Sequence, residues 1–319
     1  MSTGGGTRAI VAAFFANLGI AVAKFIGFIV TGSASMLAES IHSVADTGNQ
    51  GLLLLGGKRS RKDPDELHQF GYGRERYFWA FVVALVLFSM GAMFAMYEGV
   101  SKIRHPHELD NVAVALSILG VSVLLESYSF HTAWKEASHV RGTAKLSTYI
   151  RRAREPELPV VLLEDTGALI GLTFAFVAVV IASVTDNPVW DGVGTLSIGI
   201  LLAIIAVILA VEMKSLLIGE SATPENYRAI ADAIVDSPDV DQLIHLRTQH
   251  LGPDELLVGA KVQFRTDLRI DELAAAIDAV EHRVRLVVPI ARPFYVEPDI
   301  FRAATGDAIQ HTDTYGDNR

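Results

Sequence analysis

Apolar residues run along this chain in six long stretches and then give way to a shorter region of mixed period. The stretches lie near 9–31, 34–57, 77–100, 111–134, 159–184 and 189–213. Each approaches or exceeds the ~20 residues that a helical bilayer crossing needs. The first, third and sixth are almost unbroken, whereas the second, fourth and fifth carry acids and histidines. Polar groups inside such segments are costly against lipid, so these three are expected to line an interior path.

After Lys214 the period changes. TPENYRAIADAIVDS has helical spacing, with Thr223 as N-cap and Pro224 at the first helical position. LIHLRTQHL and LLVGAKVQF alternate as strands around the turn GPDE. IDELAAAIDAVEHRVRL reads as a helix with its apolar face at 270, 273, 277, 280 and 284, and RPFYVEP as a short last strand. The predicted fold is an α-helical membrane protein: six transmembrane helices followed by a small cytoplasmic α+β domain of ferredoxin-like type, ordered α-β-β-α-β. The expected boundaries are 1–218 for the membrane domain, 219–302 for the soluble domain and 303–319 for a disordered tail.

Loop charge gives an orientation. Lys58, Arg59, Arg61, Lys62, Arg74 and Arg76 lie between spans two and three, and Lys135, Arg141, Lys145, Arg151, Arg152 and Arg154 between four and five. The three–four connection has only Lys102 and Arg104, and the five–six connection TDNP has no base. Basic loops stay on the cytoplasmic side, so both termini are expected there. No Arg-rich, acid-poor transit segment opens the sequence, and a bacterial-type inner membrane is the expected host. Residues from Gly219 onward carry 18 acidic and 10 basic side chains, nearly the whole of the net charge of −9. That balance argues against nucleic acid as a partner. Cysteine is absent, which excludes disulfides, thiolate ligands and cysteine nucleophiles.

Within the polar second span, SASMLAESIHSVADTGNQGLLLLGG, His42 and Asp46 are four residues apart and share a helix face that Glu39 extends. Imidazole with carboxylate suits a first-row transition metal, zinc above all. A polar pair that merely joins helices is the plainer alternative. Lys24 in span one and Glu126 in span four are each costly alone, and the expectation is that they are neighbours. Gly27, Gly32, Gly48 and Gly51 are expected to permit close helix approach, and Asp191 to cap the sixth span.

At these residues the chain resembles the cation diffusion facilitator family of metal/proton antiporters. SASMLAESIHSVADTGNQ looks like the family's HxxxD signature, KRSRKDPDELHQFGYGRERYFWA like its loop into span three, and LEDTGALIGL like its fifth-span site region. LIGESATPENYRAI and HLRTQHLGPDELLV resemble its entry into the soluble domain. ADTGNQ together with LLEDTGALIG is most similar to the branch that includes the mitochondrial zinc transporter of animals.

The resemblance implies a non-enzymatic exporter of a divalent cation, a homodimer in the lipid bilayer, and proton exchange by alternating access. Zn2+ is then substrate rather than prosthetic group. Fe2+, Co2+ and Mn2+ stay open, although His42 counts against Mn2+. It carries Asp165 over as a third ligand beside His42 and Asp46, while Val161 stands where a fourth is usual. Glu164, Glu39 or water would complete the shell. The family's loop site maps to Asp65 and His68, with Tyr72 in place of a second histidine. Its soluble-domain site maps to Ile244, Ala260 and Glu297, so no intact binuclear site is expected there. The alternative from another class is a transport-inactive scaffold or metal sensor that dimerises with an active relative. An intramembrane metallohydrolase is poorer, because nothing resembles HExxH.

Overall fold

The computed structural model describes residues 5–31, 34–106, 112–143 and 145–302, without the side chains of 5–9, 27, 28, 30, 31, 34–42 and 88. The tail 303–319, expected to be disordered, lies outside the described residues, as do Gly32 and the Gly27 side-chain position. The chain divides into two units, Met1–Leu217 and Ile218–Arg319.

The first unit is helical. Helix α1 spans Gly5–Thr31 and α2 Ala34–Arg59. Helices α3 (Glu75–Val86) and α4 (Met93–Arg104) form one continuous rod through a π-helical segment, Leu87–Ala92. Then follow α5 (Val112–Arg141), the short α6 (Leu146–Arg152), α7 (Glu157–Thr185) and α8 (Val189–Ile218). Four of the described helices are long and apolar enough to cross a membrane: the 75–104 rod, α5, α7 and α8. The described apolar run of α1 is the shorter Ile10–Ile26. Helix α2 is less apolar than these, because Ser43, Asp46, Thr47, Asn49 and Gln50 occupy its middle.

Burial explains which polar helices the bundle tolerates. Almost every residue from Glu157 to Asp165 in α7 is buried, so this end of the helix faces protein all round. Large apolar side chains such as Phe15, Val22, Leu124, Val177 and Val211 are instead exposed, as a lipid-facing surface requires. A buried ion pair joins the starts of α3 and α7, with Arg76 Nε and Nη2 donating to the two carboxylate oxygens of Glu157.

Close helix approach occurs elsewhere than expected. A Cβ at Gly48 or Gly51 would meet nothing within 4 Å. At Gly199 it would lie 2.7 Å from Met96 N, and at Gly192 2.9 Å from Ile103 N, so glycine brings α4 and α8 together, as Gly167 and Gly194 do α7 and α8. Asp191 sits in the first turn of α8, but its carboxylate pairs with Lys102 Nζ at 2.9 Å. The side chain that receives a backbone N–H at this helix start is Asn187, from Val189.

The second unit matches the sequence pattern closely. Helix α9 (Pro224–Val235) begins at Thr223, whose hydroxyl accepts from Asn226 N. Strands β1 (Val240–Gly252) and β2 (Glu255–Phe264) form an antiparallel hairpin, and β3 (Phe294–Pro298) adds parallel to β2. Alternate residues of β2, from Leu256 through Val258, Ala260 and Val262 to Phe264, enter one core with Ile230 and Ile234 of α9. Helix α10 (Ile270–Val287) adds Ala276, Val280 and Val284 to it. Ile270, expected on that apolar face, is 86% exposed because it stands at the first residue of the helix, before the face meets the sheet.

Candidate metal centre

Helices α2 and α7 supply the candidate ligands. Asp46 projects from the middle of α2 and is half-buried. Asp165, on α7, is 2% exposed, and its Oδ2 accepts from Ser129 Oγ of α5 at 2.7 Å. Glu164 precedes it and points elsewhere, as adjacent residues on a helix must. Its Oε1 accepts from Asn49 Nδ2 at 2.8 Å and its Oε2 from Gln50 Nε2 at 2.7 Å. The His42 and Glu39 side chains lie outside the described residues. Val161 is fully buried among apolar neighbours.

These groups belong to one electrostatic neighbourhood. The charge of Asp46 acts on Glu126, Glu164 and Asp165, and that of Asp165 acts on Glu126. Lys24 contributes the opposite charge: it reaches Glu126 electrostatically, in line with the sequence expectation, and its Nζ donates to Ser43 Oγ at 3.1 Å. The bundle thus gathers four carboxylates and one ammonium, where an isolated charge costs several kcal/mol to bury. Such a set can be balanced by protons or by a bound cation. Among the described residues no three His, Asp or Glu side chains form a ready-made metal cage, and His42 is not in that set.

Sequence reasoning missed Ser129, Ser43, Asn49 and Gln50. Ser129 could have been found, because it shares a helix face with Glu126, Ala133 and Ala137, all buried. The partners of Asn49 and Gln50 lie on another helix, where no local spacing reveals them.

The two peripheral positions are occupied by the protein's own groups. Asp65 Oδ2 accepts from Lys62 Nζ and the Tyr72 hydroxyl, and Oδ1 from the Leu67 and His68 backbone N–H groups. Tyr72 first, then Lys62, hold the Asp65 carboxyl well below the usual carboxylate range. In the soluble unit, β2 sets Lys261 opposite His245 on one side and Glu297 on the other. Its ammonium lies 3.1 Å from both Glu297 and Asp299, which raises its own pKa. Ala260 is in the core, Ile244 and His245 are half-buried, and His250 Nδ1 contacts Gly252 O at 3.1 Å.

Comparison with known proteins places this geometry in a family. Residues 10–218 match the cation efflux transmembrane domain. The chain is 33% identical over 244 residues to the proton-coupled zinc antiporter SLC30A9, mitochondrial, of Mus musculus, an alignment covering 76% of this chain and 43% of that protein. It is 30% identical over 261 residues to metal tolerance protein C4 of Arabidopsis thaliana, covering 81% and 57%. With magnetosome protein MamB of Magnetospirillum gryphiswaldense the identity is 27% over 283 residues, covering 88% and 89%. The chain therefore spans about half the length of the first two of these relatives.

Proposed function

The chain belongs to the cation diffusion facilitator family, whose cation efflux domain it carries, and from that premise we propose that it exports a divalent transition-metal cation, Zn2+ foremost, in exchange for protons. It is a multi-pass membrane protein and a transporter rather than an enzyme. The observation that carries the proposal is that Asp46 of α2 and the buried Asp165 of α7 flank the hydrogen bonds by which Asn49 and Gln50 of α2 hold Glu164 of α7, with Lys24 the one ammonium among the described residues that acts on this group.

The proposed ligands are His42, Asp46 and Asp165, with the position of Val161 filled by Glu39 or water; Glu164, the other candidate, has both oxygens turned to Asn49 and Gln50 of α2. Imidazole nitrogen with carboxylate oxygens is a zinc-type donor set. Ligands must be deprotonated to bind, so metal and protons compete for the same atoms. Imidazole's ordinary pKa near ~6.5 makes that competition effective at physiological pH. Alternating access would then let protons from the far side evict the metal and hold the emptied site. The basic loops after α2 and α5 support both termini on the cytoplasmic side, and the proposed host is a bacterial-type inner membrane. A homodimer paired through the soluble units is the proposed assembly.

Purified protein in proteoliposomes tests the reading. An imposed Zn2+ gradient is expected to drive a matching counterflow of protons, and Asp46→Ala and His42→Ala to abolish both. Zinc movement with no proton counterflow would overturn exchange. Unchanged flux in both variants would overturn the site.

A further inference from the structure

We propose that Asn49, Gln50 and Glu164 form a positioning clamp that sets the separation of α2 and α7, and through it the turnover and metal selectivity of the centre. The proposal rests on the transport reading above.

The clamp stands beside the proposed ligands on both helices. Asn49 and Gln50 follow Asp46 by three and four residues, about one helical turn, and Glu164 immediately precedes Asp165. The three side chains are 1%, 0% and 8% exposed. Each carboxylate oxygen of Glu164 has its own amide donor, at 2.8 and 2.7 Å. A carboxyl group gripped at both oxygens is restrained in rotation as well as position. The grip leaves both amides half-satisfied, since Asn49 Oδ1 and Gln50 Oε1 are buried and find no hydrogen-bond partner among the described residues. Buried amide oxygens left so are uncommon and call for a reason. Here the reason is that turning either amide to satisfy its oxygen would withdraw the donor from Glu164.

The same bonds separate Glu164 from Asp165 in role. A Glu164 that ligated metal would have to do so with both oxygens already turned to donors on α2. Asp165 takes only Ser129, on Oδ2, and among the described residues no hydrogen bond reaches its Oδ1. Asp165 is thus free to coordinate, while Glu164 ties its helix to α2. Because Asp46 and Asp165 lie on the two tied helices, the clamp limits how far apart the donors can move. A rigid, narrow site favours small tetrahedral Zn2+, and a looser one admits larger cations that prefer six oxygen ligands, such as Mn2+.

The reciprocal swap tests this. Transport of Zn2+ and of Mn2+ is measured in proteoliposomes for wild type, Gln50→Glu, Glu164→Gln and the double variant. Gln50→Glu sets two carboxylates face to face, and Glu164→Gln sets amide against amide. Each is expected to lower zinc turnover at least tenfold and the zinc-to-manganese ratio at least fivefold. The double variant restores a carboxylate–amide bond with the partners exchanged and the charge unchanged, and is expected to recover turnover and ratio to within threefold of wild type. Asp165→Asn is expected to raise the zinc KM and to gain nothing from Gln50→Glu. A folded double variant as impaired as the single ones overturns the clamp, as does a normal Glu164→Gln. Should the double variant fail to fold, Asn49→Ala decides: an unchanged zinc-to-manganese ratio overturns the proposal and a fivefold fall upholds it. A wild type that moves no dication, or an Asp46→Ala that moves it normally, overturns the underlying transport reading and the clamp's role with it.

Discussion

Asp165 shows how one side chain depends on another. It is almost fully buried, and Ser129 on α5 holds one of its oxygens. Outer partners of this kind orient a ligand, and their loss costs roughly 10–100-fold in metal affinity or activity. Ser129→Ala is therefore expected to weaken zinc transport by about that range, and Ser129→Thr, which keeps the hydroxyl, by far less. Zinc uptake at several concentrations checks this, and an unaffected Ser129→Ala would remove the orienting role. Asp65 offers a second residue-scale prediction, outside the membrane. Its folded pKa is depressed, chiefly by the Tyr72 hydroxyl. A depressed carboxyl adds stability above its unfolded pKa and loses it as pH falls through the folded value. The loop's hydrogen bonds should thus persist from neutral pH to below ~4, the ordinary aspartate value. In Tyr72→Phe their loss should begin at higher pH. The carboxyl-carbon NMR signal that disappears in Asp65→Asn follows this directly, and a signal that titrates with the other aspartates would contradict it.

At the scale of elements, glycine distinguishes what a sequence permits from what a fold uses. A Cβ on Gly199 would come within 2.7 Å of Met96 N and Met96 Cγ, so the backbones of α4 and α8 must part to admit it. Overpacking of this sort costs about 1–3 kcal/mol, and Gly199→Ala should lower the melting temperature. Gly48→Ala, with nothing within 4 Å, should leave it unchanged or raise it, since alanine favours the helix by up to ~1 kcal/mol. Melting curves in detergent compare the two. The six apolar stretches were legible because a bilayer leaves a helix few alternatives, and the soluble unit was legible because Thr223, the GPDE turn and the alternation of β2 act locally. The π-helical segment at Leu87–Ala92, the short helix at Leu146–Arg152 and the partners of Asn49, Gln50 and Asp191 were not. Each depends on what stands opposite in space, and spacing along one helix does not encode that. Half of the candidate site was readable for the same reason: His42, Asp46 and Glu39 share one helix face, whereas Asp165 needed the family resemblance.

For the whole molecule, the acid excess of the soluble unit and the bases of two loops bear on one question, orientation. Residues from Gly219 onward hold 18 acidic against 10 basic side chains, and acids weigh little in setting topology, so the lysines and arginines after α2 and α5 decide it. With an even number of crossings the soluble unit must then lie on the same side as those loops. The absence of cysteine makes this directly measurable, because any single introduced thiol is the only one in the chain. Three exposed positions serve: Glu66 between α2 and α3, His105 after α4, and His282 on α10. In right-side-out vesicles a membrane-impermeant maleimide is expected to label His105→Cys and to spare Glu66→Cys and His282→Cys. In inverted vesicles the pattern reverses. Labelling of Glu66→Cys and His282→Cys from opposite sides would mean an odd number of crossings between them, so that one of the 75–104 rod, α5, α7 and α8 does not span.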